Sequence, residues 1–356
     1  MSLLLSSILT SLNAVFAILI VGLSALALVQ LGVIHKSAER PISRITINLL
    51  LPSLIFSELL ANLEPTDLLM FLCITLISIM HILLGTALGW AVASLLKEEN
   101  GVKRLMSICC GFFNLTIALM FTEMLGKSEV TLSDEQFHHK VLQNVLSCYA
   151  INGFSIWFGA FSVMKKKTNK GYFLEEPKRS LLQTFLKKLR SGINPPVIAI
   201  LLALPVVFIP QIRDTLFVGK TALFHNNLYA ALDMMGSSAP MLIIFLIGIK
   251  LSGGYSSSAT ISWWSIVLVI IIKLVLIPWV GITAMYLLYK AQVVSRILAM
   301  SLVILWSSPS ALQLFMVCSA QKNQEENIAK IYTVMYMVSP ITLVINNFIS
   351  LNLFYE

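Results

Sequence analysis

The sequence has few charged residues for its length. Only 12% of its 356 residues are Asp, Glu, Lys or Arg, whereas a soluble domain carries about 25%. Hydrophobic residues make up 57% of the chain, and the mean hydropathy is +0.86. This deficit of charge excludes an ordinary soluble protein and predicts that most of the chain lies in a lipid bilayer.

The chain also lacks the sequence patterns of catalysis and of metal or cofactor binding. It contains no P-loop, no dinucleotide-binding fingerprint, no Gly-X-Ser-X-Gly elbow and no His/Cys metal spacing. All five cysteines fall within apolar segments, so no disulfide framework is indicated. We therefore expect that the protein is not an enzyme and binds no metal and no cofactor.

Long apolar segments recur along the chain and are separated by polar stretches. Most reach the roughly 18–20 residues that cross a bilayer. The first has no basic region before it and is too long for a cleavable signal peptide, so we take it as the first span. We predict an all-α polytopic membrane protein with ten transmembrane helices, at about 12–34, 44–63, 67–96, 103–124, 140–164, 194–212, 228–250, 260–289, 294–319 and 327–351.

The net charge of +8 comes from Lys and Arg residues that are concentrated in alternate loops. If the N-terminus is outside, the inner loops hold 18 of these residues and the outer loops hold six, while Lys273 falls within a span. This asymmetry follows the positive-inside rule and predicts that both termini lie on the external or lumenal side. Topology therefore accounts for the basic charge, and we expect no nucleic-acid partner.

The most basic loop, residues 165–190, divides the ten spans into two groups of five. Because five is an odd number, the second group enters the membrane from the opposite side, as in transporters built from inverted repeats. We therefore predict a first five-helix repeat at 1–164, a basic cytosolic loop at 165–190, and a second, inverted five-helix repeat at 191–356. Leu51–Phe56 in span 2 also resembles Ala239–Phe245 in span 7.

Spans 4 and 9 are interrupted near their middles, at Gly111–Thr116 and Trp306–Ser310. An unpaired backbone group in hydrocarbon costs several kcal/mol, so a broken helix is stable only where it lines a cavity walled by protein. Paired broken helices at matching positions of two halves are typical of a transporter's substrate site. The alternative is a Pro-kinked structural helix with Ser and Asn as contacts between helices.

The predicted breaks have the chemistry of an anion site. A helix that begins there offers unpaired N–H groups and about half a positive charge. Polar side chains at the breaks can add hydrogen bonds, and we expect Asn48 on span 2 to line the same cavity. The predicted substrate-binding residues are Asn114, Leu115, Thr116, Ser308, Pro309, Ser310, Lys273 and Asn48.

Two ionisable residues are predicted deep within spans, where such groups are costly and generally functional. Lys273 could pair with a substrate carboxylate or with backbone carbonyls, and snorkelling to the membrane surface is the alternative. His81 on span 3 ordinarily titrates near neutral pH and is our candidate for proton coupling. A neutral packing role is its alternative. We expect no buried carboxylate near the breaks, since Glu123 lies near the outer end of its span, so sodium coupling is the least expected option.

Five motifs resemble, in the same order, those of the auxin efflux carrier family, and more closely its PIN-LIKES branch. They are Leu83–Trp90, Gly111–Leu115, Asn194–Ala199, Lys273–Pro278 and Ser308–Phe315. The resemblance implies a ten-span fold in which discontinuous helices 4 and 9 cross, and a homodimer. It also implies residence in the endoplasmic reticulum membrane, with the plasma membrane as the alternative. Phe112 and Phe113 stand where the family usually has small residues.

These patterns favour a secondary carrier or uniporter. The resemblance implies that it moves small organic carboxylate anions of the indole-acetate type out of the cytosol, and the residues predict alternating access. Its expected partners are the anion and the lipid bilayer. The alternative is a membrane receptor or sensor of a small carboxylate that does not transport it. A lipid-modifying enzyme would need His or Asp clusters near an interface, which the sequence lacks.

Overall fold

The computed structural model describes residues 16, 20–62, 68–115, 117–118, 135–165, 193–219, 221–252 and 260–355. This part of the chain is helical and contains no β-strand. Its helices are α1 (Ile20–Gln30), α2 (Lys36–Ala61), α3 (Leu68–Leu95), α4 (Asn100–Gly111), α5 (Glu135–Phe154 continued by Ser155–Ala160 and Phe161–Met164), α6 (Pro195–Phe208), α7 (Pro210–Val218), α8 (His225–Ile249), α9 (Trp263–Lys290), α10 (Arg296–Ser307), α11 (Gln313–Gln321) and α12 (Glu325–Tyr355).

Within the described ranges, five helices are long and apolar enough to cross a membrane, namely α2, α3, α8, α9 and α12. Helices α6 and α7 meet at a bend of 108° and make a sixth crossing if they are counted together. The prediction of an all-helical, multi-pass membrane protein is therefore confirmed. The ten spans, the domain boundaries and the inverted repeat stay predictions, and the basic loop after Lys165 lies largely outside the described residues.

Side-chain caps explain where three of these helices begin. The Asn194 side chain accepts a hydrogen bond from the Val197 N–H at 3.1 Å, and two prolines follow it in the first turn of α6. Ser262 and Ser295 cap α9 and α10 in the same way. An oxygen at this position pairs one of the N–H groups that the first turn leaves free, and proline has no N–H to leave unpaired.

Glycines allow α3 and α4 to pack in close contact. A Cβ atom added at Gly85 would collide with the Cys110 carbonyl oxygen, and one at Gly89 would lie 2.6 Å from the carbonyl oxygen of Met106. Two glycines four residues apart form the small-residue face that lets membrane helices approach closely. This packing places the middle of α3 against the C-terminal end of α4.

Helices α4 and α10 both end where the sequence predicts breaks. After Gly111, Phe112 has extended backbone angles of φ −102° and ψ 138°. After Ser307, Ser308 is also extended, at φ −72° and ψ 147°. Helix resumes at Leu115 after the first break and at Gln313 after the second. Each interruption is thus a short extended segment between two helical stretches.

Candidate functional site

The two extended segments lie side by side and are joined through their backbones. Phe113 and Ser310 form an isolated antiparallel bridge. The Asn114 N–H donates to the Pro309 carbonyl oxygen at 2.8 Å and lies 3.1 Å from the Ser308 hydroxyl oxygen. We call this paired region, residues 112–114 and 308–312, the crossing. Backbone groups that each break frees from its helix are therefore paired with groups of the other break.

The Asn114 side chain connects three parts of the crossing. Its Oδ1 accepts from the Ile117 N–H at 3.3 Å and so caps the helical residues after the first break. Its Nδ2 donates to the Tyr336 hydroxyl oxygen at 2.5 Å. Tyr336, on α12, in turn donates to the Ser310 carbonyl oxygen at 2.7 Å. One buried network therefore ties both breaks to the last helix.

Serines and a proline shape the second break. Pro309 has no N–H, so it cannot continue the hydrogen bonding of α10. The Ser308 hydroxyl donates to the Leu305 carbonyl oxygen at 2.7 Å, and the Ser310 hydroxyl donates to the Cys109 carbonyl oxygen of α4. Both serines are completely buried. The Ser308 N–H also donates to the Leu305 carbonyl oxygen, at 3.1 Å, so this helix end is closed by two bonds. The Ser310 bond pairs one of the last carbonyls of α4.

A small cleft, partly open to solvent, lies against one side of the crossing. Both breaks contribute to its wall, together with α2, α5 and α8. Its lining is mostly apolar with a few polar groups, as in small-molecule sites. Its lining residues are Leu54, Phe113, Asn114, Leu115, Asn152, Gly153, Pro240, Ile243, Ala311, Leu312 and Gln313.

The polar groups of the cleft offer two kinds of contact to a ligand. Helix α11 begins at Gln313, which lines the cleft, and has no side-chain cap. The Leu314 and Phe315 N–H groups donate to the Ala311 and Leu312 carbonyl oxygens at 3.1 and 3.0 Å, so this end of the helix offers the cleft the positive end of its dipole. On the opposite helix, Asn152 donates through Nδ2 to the Phe113 carbonyl oxygen at 3.1 Å. Its buried Oδ1 has no hydrogen-bond partner among the described residues. The cleft therefore presents the positive end of a helix dipole and one unpaired hydrogen-bond acceptor.

A buried pair of nitrogen bases lies beside the crossing. Lys273 Nζ on α9 is 3.2 Å from His81 Nε2 on α3, and both side chains are fully buried. The imidazole packs edge-on against Phe113 and Trp306, with ring centroids 5.3 Å and 4.7 Å apart. Lys273 therefore does not snorkel to the membrane surface; it is held in the interior by contact with His81.

The structure brings most of the predicted substrate residues together. Asn114 and Leu115, at the first break, line the cleft. Ser308, Pro309 and Ser310 form the second break and are bonded to the first break rather than lining the cleft. Asn48 does not join them: it is exposed on α2, and its Nδ2 donates to the Arg44 carbonyl oxygen at 2.7 Å within the same helix. Thr116 lies outside the described residues.

Sequence reasoning missed three residues of the site: Tyr336, Asn152 and Gln313. Asn152 and Tyr336 are polar groups inside spans 5 and 10, which was a signal that could have drawn attention to them. Nothing in the sequence indicates which of the many polar residues in those spans face the breaks. Their roles depend on helix rotation and packing.

Comparison with known proteins identifies a family for this chain. The sequence model of a family described as "Membrane transport protein" matches residues 7–346. Protein PIN-LIKES 1 of Arabidopsis thaliana is 22% identical over 286 residues, which cover 72% of this chain and 60% of the relative. The chain thus spans less than two thirds of the length of the curated relative it matches. The match over nearly the whole length shows that this chain belongs to the membrane transport protein family of auxin efflux carriers, and the relative supports its PIN-LIKES branch.

Proposed function

We propose that the protein is a secondary carrier that moves small organic carboxylate anions out of the cytosol by alternating access. The observation that carries this proposal is the cleft, which both broken helices build and which the uncapped N-terminus of α11 faces. Such a helix end attracts a carboxylate without a formal charge that would hold it too tightly to leave. Uniport is the simplest form of such transport.

An indole-acetate-like acid fits the chemistry of the cleft. Its carboxylate would lie at the start of α11, near Gln313. Its ring N–H would donate to the unpaired Oδ1 of Asn152, and its apolar body would contact Phe113 and Ile243. The family resemblance supports the same class of substrate. Of the predicted binding residues, Asn114 and Leu115 would contact the ligand in the cleft. Ser308, Pro309 and Ser310 would hold the crossing that forms its wall.

The proposed architecture has ten spans in two inverted repeats, residues 1–164 and 191–356, joined by the basic cytosolic loop 165–190. Support comes from the antiparallel bridge between Phe113 and Ser310, because segments from oppositely oriented repeats run in opposite directions where they meet. We further propose residence in the endoplasmic reticulum membrane and assembly as a homodimer, both on the family resemblance.

Counterflow in proteoliposomes tests the function. Vesicles that contain the purified chain and are preloaded with unlabelled indole-3-acetate should take up the radiolabelled acid faster than protein-free vesicles. Binding in detergent without counterflow would instead support a sensor. Neither binding nor counterflow for indole-3-acetate, benzoate or other small carboxylates would overturn the proposal.

The charge of the ligand is tested by Gln313→Glu. A carboxylate in the first turn of α11 suits the helix dipole, so folding should be preserved. The same charge would repel an anion in the cleft, and we expect affinity to fall at least about tenfold, the equivalent of about 1.4 kcal/mol. Gln321→Glu, at the far end of the same helix, is the matched control and should bind normally. Unchanged affinity in Gln313→Glu would show that the anion does not bind at this end of the cleft.

A further inference from the structure

The Lys273–His81 pair has no acidic partner in the described part of the protein. Of the titratable groups there, those that face the pair are the thiols of Cys109 and Cys110, at the end of α4. Helix α10 presents the Trp306 ring to the pair, and the Asn346 amide of α12 donates to the carbonyl oxygen of Leu274, the residue after Lys273, at 3.2 Å. Neutral thiols, an indole and an amide do not compensate a positive charge on the pair.

The hydrogen bond between the two nitrogens limits the charge that the pair can hold. A bond from N to N requires that one nitrogen donate a proton and the other offer a lone pair. Lysine as an ammonium ion and histidine as an imidazolium ion would both be donors, and two positive charges 3.2 Å apart in the interior repel strongly. The pair therefore holds one positive charge or none.

The other ring nitrogen of His81 is available to bind a proton. His81 Nδ1 is buried and has no hydrogen-bond partner among the described residues. In the neutral pair, Nε2–H donates to the amine of Lys273 and Nδ1 carries a lone pair. A proton that arrives at Nδ1 lets Nε2 pass its own proton to Nζ, which leaves an ammonium ion beside a neutral imidazole. The pair gains one proton and one positive charge, and release reverses both transfers.

The pair also contacts both broken helices. The His81 ring packs against Phe113, which is part of the first break and lines the cleft. It packs as well against Trp306, in the last turn of α10 before the second break. An anion in the cleft would stabilise the charged form of the pair through this apolar wall, where screening by water is weak. Anion binding and proton binding should therefore favour each other.

We propose that Lys273 and His81 form a proton-binding site that takes up one proton with each carboxylate, so that the carrier performs electroneutral proton–anion symport. The inference rests on the proposed carrier function and replaces uniport with a coupled mode. The loaded carrier moves one anion and one proton across the membrane, and the empty carrier returns with the pair neutral. No net charge crosses in a cycle.

Flux under controlled gradients tests this coupling. Proteoliposomes are given a pH difference at zero potential, or a potassium-diffusion potential at equal pH, and uptake of radiolabelled indole-3-acetate is corrected for protein-free vesicles. We expect the pH difference to drive accumulation and the potential to have no effect. Accumulation driven by the potential and indifferent to the pH difference would overturn the proposal. Absence of carrier-dependent flux in both settings and in counterflow would instead refute the carrier function itself.

Two variants identify the site. In His81→Gln, a side-chain carbonyl still accepts from Lys273 but no ring relays the proton. In Lys273→Arg, the guanidinium does not release its proton. Counterflow of each variant is measured first and sets its own baseline. Relative to that baseline, we expect both variants to lose the pH-driven component and to gain dependence on the potential, and a pH-driven component that persists in either variant would overturn the assignment of the site. His225→Gln and Lys290→Arg, away from the crossing, are matched controls and should behave as the unaltered chain.

Proton uptake by the unaltered protein gives a second measurement that does not depend on variants. Indole-3-acetate is added to the detergent-solubilised chain in a weakly buffered solution with a pH indicator. We expect about one proton to be taken up per anion bound, and none in Lys273→Arg. If the unaltered chain binds the anion without proton uptake, the Lys273–His81 pair is not the coupling site.

Discussion

The buried Asn114 is bonded on three sides at the edge of the cleft. Its backbone N–H is paired with Pro309, its amide nitrogen with Tyr336, and its side-chain oxygen with Ile117. Few side chains offer a donor and an acceptor on so short a stem, and aspartate would lack the donor. The position thus requires an amide for reasons that are independent of any ligand.

We expect Asn114→Ala to abolish counterflow and to lower the free energy of unfolding by about 1–3 kcal/mol, because the Tyr336 hydroxyl and the Ile117 N–H lose their buried partner. Counterflow and thermal unfolding in detergent measure the two effects. Asn48→Ala is the matched control: its amide bonds only within α2 and is exposed, so both properties should be nearly unchanged. Normal counterflow in Asn114→Ala would show that the network is dispensable.

At this scale the sequence predicted the buried ionisable residues but not their contacts. Lys273 and His81 each stood out as a charge-bearing group in an apolar span. Their 3.2 Å contact could not be inferred, because 192 residues separate them and the register between α3 and α9 depends on packing. Asn48 was predicted to line the cavity because it is a polar residue within a span. Its side chain instead forms a hydrogen bond with its own helix.

Among the elements, the two breaks were the most predictable, since Pro309 and the Phe112–Asn114 stretch interrupt otherwise regular apolar runs. The pairing of the two breaks could not be predicted. The bridge between Phe113 and Ser310 joins backbone atoms, so it requires no particular side chains that a sequence pattern could reveal. The order of the motifs implied a crossing only through the family resemblance.

Replacing Pro309 with alanine should abolish transport while insertion into the membrane is retained. Alanine restores an N–H and removes the ring clash, so α10 can extend by further residues and withdraw the carbonyl that Asn114 pairs with. Counterflow and membrane expression are the measurements. Pro340→Ala, inside the regular helix α12, is the matched control and should transport normally. If Pro309→Ala also transports, the second break is not maintained by proline.

The α3–α4 contact should be intolerant of side-chain growth. In Gly85→Ala the new methyl group would collide with the Cys110 carbonyl oxygen, and we expect a loss of about 1–3 kcal/mol in the free energy of unfolding. Gly159→Ala is the control: no atom lies within 4 Å of the added Cβ, so the substitution should be neutral or stabilise its helix by up to about 1 kcal/mol. Equal melting temperatures for the two variants would contradict the close packing.

In the whole described part of the chain, no group of three or more His, Cys, Asp or Glu side chains is placed to hold a cation. Cations such as sodium need several oxygen ligands, typically with a carboxylate to balance the charge, and the crossing instead has the Lys273 nitrogen nearby. Replacing all sodium with choline in proteoliposomes should therefore leave flux of indole-3-acetate unchanged. Flux that stops without sodium would exclude both uniport and the proposed proton symport.

Composition and the recurrence of long apolar segments were sufficient to predict a multi-pass helical membrane protein, because 12% charged residues is about half the share of a soluble domain. The cleft itself could not be predicted. Its wall combines Leu54, Asn152 and Pro240 with the crossing, and those residues meet only after five separate helices have packed. Long-range packing of this kind has no local pattern in a single sequence.

The crossing is held mainly by main-chain atoms, and this bears on how such a protein changes over evolutionary time. Phe113 can be exchanged for another residue without losing its bridge to Ser310, since the bridge uses none of its side-chain atoms. The family resemblance implies small residues where this chain has the bulky Phe112–Phe113 pair, and the backbone bridge is compatible with either. A few such exchanges can therefore reshape the wall of the cleft while the scaffold stays the same.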